Sequence, residues 1–331
     1  MTGSAADERA ARAALTCVAE PGDLIMGTLL RTCSPAEIIA ALTEGRRPAG
    51  LAALSAGEDG QTGELFAVGA PGLPGDASQS IRRARLDRAL RRWAARLEDV
   101  PADGALDAWG RDGIRLVIPG DAEWPGQLDV LGDARPWGLW VRGGVDLRYA
   151  CLRSVSVVGT RAATAYGAHV CTELAVSLAE RGWTVISGGA YGIDGCAHRG
   201  AVAAGGTTIA VLACGVDGAY PPGHWELFRA IRECGAIVSE WPPGRVPTRH
   251  GFLVRNRVIA ALSRGTVVVE AALRSGALNT ARHARDQRRP LMAVPGPVTS
   301  AQSAGCHEAI REWGAICVTG VPHGHCPPVP V

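Results

Sequence analysis

The sequence predicts an α/β fold: a doubly wound, mostly parallel sheet preceded by a small helical domain. Three observations carry this. From Ser154 onward, apolar runs rich in β-branched residues alternate with segments of helical spacing, the pattern of parallel strands covered by helices on both faces. Residues 1–105 show helical spacing alone. At residues 187–194, Ser-Gly-Gly-Ala-Tyr-Gly-Ile-Asp, an apolar run passes through a glycine-rich turn into a helix. Such a turn lets the backbone approach a bound group while the next helix aims its free N–H groups there.

In chain order, the spacing predicts helices over 10–18, 24–32, 35–42 and 78–97, with a Gly/Pro-rich loop over 69–75. Arg82, Arg83, Arg85, Arg88, Arg91, Arg92 and Arg96 crowd the fourth helix. They form either a nucleic-acid-facing surface or a solvated face opposite Ile81, Leu86, Leu90, Trp93 and Leu97. A short strand follows over 114–119. Residues 124–128 and 136–143 then form a lead-in that covers one edge of the next domain. Strands are expected over 155–158, 184–186, 208–212, 236–239, 266–270, 291–294 and 316–318. The helices between and after them are expected over 165–180, 193–204, 224–234, 252–263, 278–286 and 304–313. The domains read as 1–105, 106–320 and a Pro/Gly-rich, disordered tail over 321–331.

Composition narrows the class. The chain has 331 residues, 47% of them apolar, and no run long enough to cross a membrane. With no signal peptide and ten scattered cysteines lacking any Cys-x-x-Cys pair, it reads as cytoplasmic. There is no lysine; all 34 basic residues are arginine. Carboxylates outnumber arginines in residues 1–150, and the reverse holds in 151–331, which favours a polyanionic partner for the second part. His323, His325 and Cys326 lie close together but in the tail, and no metal-ligand spacing is found elsewhere.

In a parallel sheet, ligands bind beyond the carboxyl ends of the strands. That rim gathers Gly159-Thr160-Arg161, the glycine turn, Gly215 to Tyr220-Pro221, Glu240, the segment 252–257, Glu270 and Arg274-Ser275-Gly276. The turn lacks both the Gly-x-Gly-x-x-Gly spacing and the Gly-Lys-Ser/Thr of a P-loop; it serves an anion or only tight strand–helix packing. Arginine forks grip phosphate oxygens in pairs, which singles out Arg161, Arg255 and Arg257. The alternative for Arg257 is an ion pair with Glu240 or Glu270. No nucleophilic triad is evident, so no catalytic residue is assigned; the two glutamates are the only general acid–base candidates.

These residues resemble the DNA-processing protein A (DprA/Smf) family. The resemblance rests on Gly159-Thr160-Arg161 with Tyr166-Gly167, residues 187–194 with Ala197-His198, and Gly215-x-Asp217 with Tyr220-Pro221. It continues through Ser239-Glu240-x-Pro242, Phe252-x-x-Arg255-Asn256-Arg257, Val269-Glu270-Ala271 with Ser275-Gly276, and Ala293-Val294-Pro295-Gly296. It covers roughly residues 110–320. It implies an extended Rossmann-like domain that binds single-stranded DNA, protects incoming DNA in natural transformation and loads the RecA recombinase. It implies no catalysis and no cofactor, a homodimer formed through the late helix, and a SAM-like or helix-hairpin-helix-like N-terminal domain. Matched by motif, the DNA-phosphate site would comprise Arg161, Ser187, Gly188, Gly189, Arg255, Asn256, Arg257, Ser275 and Gly276, with Tyr191 and Phe252 as base-stacking candidates. The chain departs from the family in having Leu253 where proline is common, and no winged helix at its end. Arginines such as Arg249 or Arg282 would replace the lysines of other members. The alternative is a Rossmann-like nucleotide hydrolase of the phosphoribohydrolase type, whose Pro-Gly-Gly-x-Gly-Thr run is missing here.

Overall fold

The computed structural model describes residues 5–51, 75–102 and 104–320. The tail, and all of the loop read over 69–75 except Gly75, lie outside the described residues. By its contacts the chain divides into two units: Met1–Ala108 with Gly132–Gly138, and Trp109–Leu131 with Leu139–Val331.

The first unit is helical. Among the described residues its helices include α1 (Ala5–Val18), α2 (Leu24–Leu29), α3 (Pro35–Thr43) and α4 (Gly75–Ala94). Helix α3 starts where Ser34 and Glu37 form a reciprocal cap with Pro35 in the first turn, an arrangement that satisfies two otherwise orphaned N–H groups. Asp23 caps α2 by accepting from Ile25 N at 3.0 Å, and Trp93 Nε1 donates to its other oxygen at 3.2 Å. Leu15, Val18, Met26, Leu29, Ile38, Leu86 and Trp93 form the core, and Trp137 joins them. On α4, Leu86 and Trp93 turn inward while Arg83, Arg88, Arg91 and Arg92 stay exposed. Arg92 pairs with Asp23, and Arg96, just past the helix, pairs with Glu20.

The second unit is a nine-stranded sheet. The strands are β1 (Ile114–Val117), β2 (Leu139–Arg142), β3 (Ser154–Gly159), β4 (Thr184–Ser187), β5 (Thr208–Leu212), β6 (Ala236–Ser239), β7 (Thr266–Val269), β8 (Leu291–Ala293) and β9 (Ile316–Cys317). The order across the sheet is β1-β2-β6-β5-β4-β3-β7-β8-β9. Strands β3 to β9 pair in parallel, and β1 and β2 join antiparallel, β2 lying along β6. The expected lead-in is therefore a β-hairpin covering the β6 edge. Helix α5 (Ala105–Arg111) spans the division between the units, and the second unit's described helices are α6 (Leu147–Leu152), α7 (Ala165–Glu180), α8 (Ile193–Ala203), α9 (Trp225–Cys234), α10 (Arg249–Leu262), α11 (Gly276–Asp286) and α12 (Ala304–Trp313).

Two buried clusters hold the sheet. Val158, Ile186, Val211, Val238, Ile259 and Leu278 lie in one; Val157, Val185, Ile193, Leu174 and Val269 lie in the other. Successive residues of β3, Val157 and Val158, thus enter opposite cores, as the two-residue period of a strand requires. From β3 the chain moves outward through β4, β5 and β6, then returns to place β7 on the other side of β3. The order reverses between β3 and β7, and a crevice opens there at the carboxyl ends.

Candidate functional site

A cavity of about 570 Å³ occupies that crevice. Its walls come from four places: Gly159, Thr160 and Arg161 after β3; Ala190 and Asp194 after β4; Arg249, Phe252, Leu253, Arg255 and Asn256 on α10; and Ser275, Gly276 and Thr280 at the start of α11. Tyr220 closes one side. Helix α11 begins here because Ser275 Oγ accepts from Leu278 N at 3.4 Å. Its first-turn N–H groups and positive dipole end face the crevice. Arg161 and Arg249 are exposed at the mouth. The Arg161 guanidinium sits 5.0 Å from the centre of the Phe252 ring, and Arg255 lies 6.0 Å from the same ring.

The glycine-rich turn holds an anion of its own. Asp194, in the first turn of α8, accepts from Gly188 N at 3.2 Å and Ala190 N at 3.4 Å with the same oxygen. Burial pushes its pKa up, opposed by Arg255 and by those donors. Arg255 is buried behind the turn, where Nη1 donates to the Gly188 carbonyl at 2.8 Å and also to the Val211 carbonyl. Burial lowers its pKa to about 10, with Asp194 countering, so the guanidinium stays charged at neutral pH. A Cβ on Gly188 would lie 2.6 Å from the Arg255 guanidinium and 2.7 Å from the Asp194 carboxylate, so a larger residue there must displace one of them. Gly192 turns the chain into α8 with φ 76°, where a side chain would also meet the Thr160 carbonyl at 2.3 Å.

Of the residues expected to form a phosphate site, Arg161, Arg255, Asn256, Ser275 and Gly276 converge on this cavity, together with Phe252. The others are otherwise engaged. Ser187 is fully buried and its hydroxyl donates to the Val157 carbonyl at 2.6 Å. Gly188 gives its N–H to Asp194. Gly189 packs against the Phe228 ring, and its carbonyl accepts from His224 Nδ1 at 3.0 Å. Arg257 makes a two-pronged bond with Glu240, both contacts 2.6 Å. Tyr191 is exposed and lies edge-on to His224, ring centres 4.8 Å apart, outside the cavity wall. Of the two lysine stand-ins, Arg249 lines the cavity, whereas Arg282 lies over the Trp313 ring at 5.2 Å.

The two glutamates considered as acid and base are tied up as well. Glu240 is held by Arg257. Glu270 accepts from Thr164 N at 2.9 Å and Thr164 Oγ1 at 2.5 Å, which fixes the start of α7. Sequence reasoning assigned no site role to Asp194, nor to Leu253 and Thr280 as walls. The signal for Asp194 was its place at the end of the glycine turn, within reach of the turn's N–H groups.

The chain is similar to known proteins across this region. The family model for DNA recombination-mediator protein A matches residues 115–323. A Mycobacterium tuberculosis chain named for DNA processing protein DprA is 49% identical over 257 residues. That match covers 74% of this chain and 66% of the relative, so the chain spans somewhat under two thirds of that relative's length. The X-ray structure of DNA processing protein A from Streptococcus pneumoniae superposes with a TM-score of 0.66 at 27% identity, covering 97% of this chain and 96% of that one. DNA processing protein A from Helicobacter pylori, a structure described for its single-stranded DNA binding mode, superposes with a TM-score of 0.56 at 30% identity. It covers 62% of this chain and 90% of that one. A parallel sheet wound both ways from β3, a crevice lined by arginine and a helix N-terminus, and a family match over most of that unit lead to one assignment: the chain belongs to the DNA recombination-mediator protein A family.

Proposed function

We propose that this protein binds single-stranded DNA without sequence preference, and that Arg161, Arg255, Asn256, Ser275 and Gly276 form the phosphate-binding part of its site. The observation that supports the reading best is the convergence of Arg161 and the α11 N-terminus on one open cavity at the strand-order reversal. Such a wall neutralises phosphates and releases counterions, so affinity falls steeply with salt. Gly188 and Gly189 act in this reading as the rigid back of the site. Ser187 and Arg257 hold the fold around it. The family resemblance extends the proposal to a cytoplasmic homodimer that protects incoming DNA and loads RecA during transformation and recombination.

The test is fluorescence anisotropy with labelled oligo-dT and mixed-sequence oligonucleotides across salt. Arg161→Ala is expected to weaken binding to every sequence alike and to make the salt dependence shallower by about one phosphate contact. Equal binding by variant and parent would remove Arg161 from the site. The nucleotide-hydrolase alternative draws no support from the glutamates, because Glu240 and Glu270 are both committed to structural bonds.

A further inference from the structure

Three large, exposed aromatic side chains lie on or against one segment that leads away from the cavity. Tyr220, Tyr191 and Trp225 are 41%, 48% and 53% exposed. Tyr220 lines the cavity and packs on Phe252, ring centres 5.6 Å apart. Five residues later Trp225 opens α9. Between them, Gly223 N donates to the Tyr191 hydroxyl at 3.2 Å and the His224 ring supports Tyr191 edge-on. His224 is itself pinned, with Nδ1 donating to the Gly189 carbonyl and Nε2 accepting from Arg199 at 3.1 Å. The segment from Tyr220 to Trp225 thus carries an exposed ring at each end, with a third locked to its middle, over at most about 18 Å. Exposed aromatic rings on a segment that starts at an arginine-lined cavity have the chemistry of a platform for unpaired bases.

We infer that Tyr220, Tyr191 and Trp225 form a base-stacking track along which a single strand leaves the phosphate cavity. This rests on the proposed single-stranded DNA binding and adds a direction: the strand runs from β3 toward the β5 side of the rim. Phe252, already flanked by Arg161, Arg255 and Tyr220, forms the inner end of the track. The ligand feature recognised is the face of any unpaired base. The track therefore leaves sequence preference weak, and it depends on bases being present.

The experiment compares a dT oligomer with an abasic deoxyribose-phosphate oligomer of equal length, on the full chain. Trp225→Ala is expected to weaken dT binding about five- to tenfold, to leave abasic binding unchanged, and to keep the salt slope. Trp225→Phe restores dT binding. Tyr149→Ala, an exposed aromatic on α6 near the amino end of β3, serves as the control and leaves both ligands unaffected. Unchanged dT binding by Trp225→Ala overturns the track, as does an equal loss for both polymers. If Arg161→Ala abolishes binding while Trp225→Ala does nothing, the phosphate site stands and the track falls. If the parent binds neither polymer, both readings fall.

Discussion

Replacing Arg257 with alanine separates holding the fold from gripping DNA. The Arg257 and Glu240 side chains are 7% and 5% exposed, and two 2.6 Å bonds join them. Arg257 also donates to the Val254 carbonyl at 2.9 Å. Deleting the guanidinium leaves the Glu240 carboxylate buried without its charge partner, which costs about 3–5 kcal/mol. In a unit of this size each kcal/mol lowers Tm by about 2–4 °C, so Arg257→Ala should melt roughly 10 °C below the parent. Arg255 and Arg257 are two residues apart on α10, about 200° around the helix, and so face opposite ways. Below the transition, where both proteins are folded, the variant's affinity for oligo-dT should stay within about twofold of the parent's. Differential scanning calorimetry and anisotropy titrations at 15 °C measure the two quantities independently. Retention of the parent's Tm together with loss of DNA affinity would refute the reasoning and return Arg257 to the binding site. The swap Arg257→Met with Glu240→Leu should recover most of the stability, because it removes both charges from the interior together.

Other outcomes follow from the same geometry. Gly192→Ala puts a Cβ 2.3 Å from the Thr160 carbonyl at a positive φ, and should destabilise by more than about 1 kcal/mol, read by urea denaturation. Gly188→Ala should weaken oligo-dT binding by displacing Arg255 or Asp194, and unaltered affinity and Tm would show that the turn can relax. His198 is fully buried. Thr208 Oγ1 gives its proton to the Val185 carbonyl, so His198 Nδ1 donates to Thr208 at 2.7 Å and Nε2 carries a lone pair. Burial, with His224, Arg199 and Arg255 adding, lowers its pKa from 6.5 to about 3. The unfolded chain therefore binds this proton more readily: the stabilisation is complete above pH 6.5 and is lost as pH falls toward 3, by up to about 1.4 kcal/mol per pH unit. Urea midpoints at pH 7, 6 and 5 should fall more steeply for the parent than for His198→Asn. Parallel acid limbs would contradict the assignment.

The strands of the second unit were readable because a strand buried on both faces leaves a continuous β-branched run; β5 and β6 fall where those runs do. Helix starts were less visible. Helix α10 begins at Arg249 rather than 252 because Thr248 Oγ1 accepts from Gly251 N, and α11 begins at Gly276 rather than 278 because Ser275 caps it. Both are side-chain-to-backbone bonds that apolar spacing does not report. The rim residues were legible as a set, since parallel topology brings the carboxyl ends of strands together. Their individual roles were not. Three arginines look alike in sequence, yet Arg161 is exposed, Arg255 is sealed behind the glycine turn and Arg257 is neutralised by Glu240. Helical phase could have separated Arg255 from Arg257. The partner of the turn's N–H groups required the fold.

Residues 132–138 belong by contact to the helical unit although β1 precedes them and β2 follows. Trp137 sits in that unit's core, Arg12 Nη1 donates to the Trp137 carbonyl at 3.0 Å, and Thr28 Oγ1 donates to the Asp133 carboxylate at 2.9 Å. The backbone therefore passes from one unit to the other three times. During synthesis the helical unit cannot close until Trp137 has left the ribosome, by which time the first strand of the sheet is already made. A protein cut just before that strand would release helices whose core lacks Trp137.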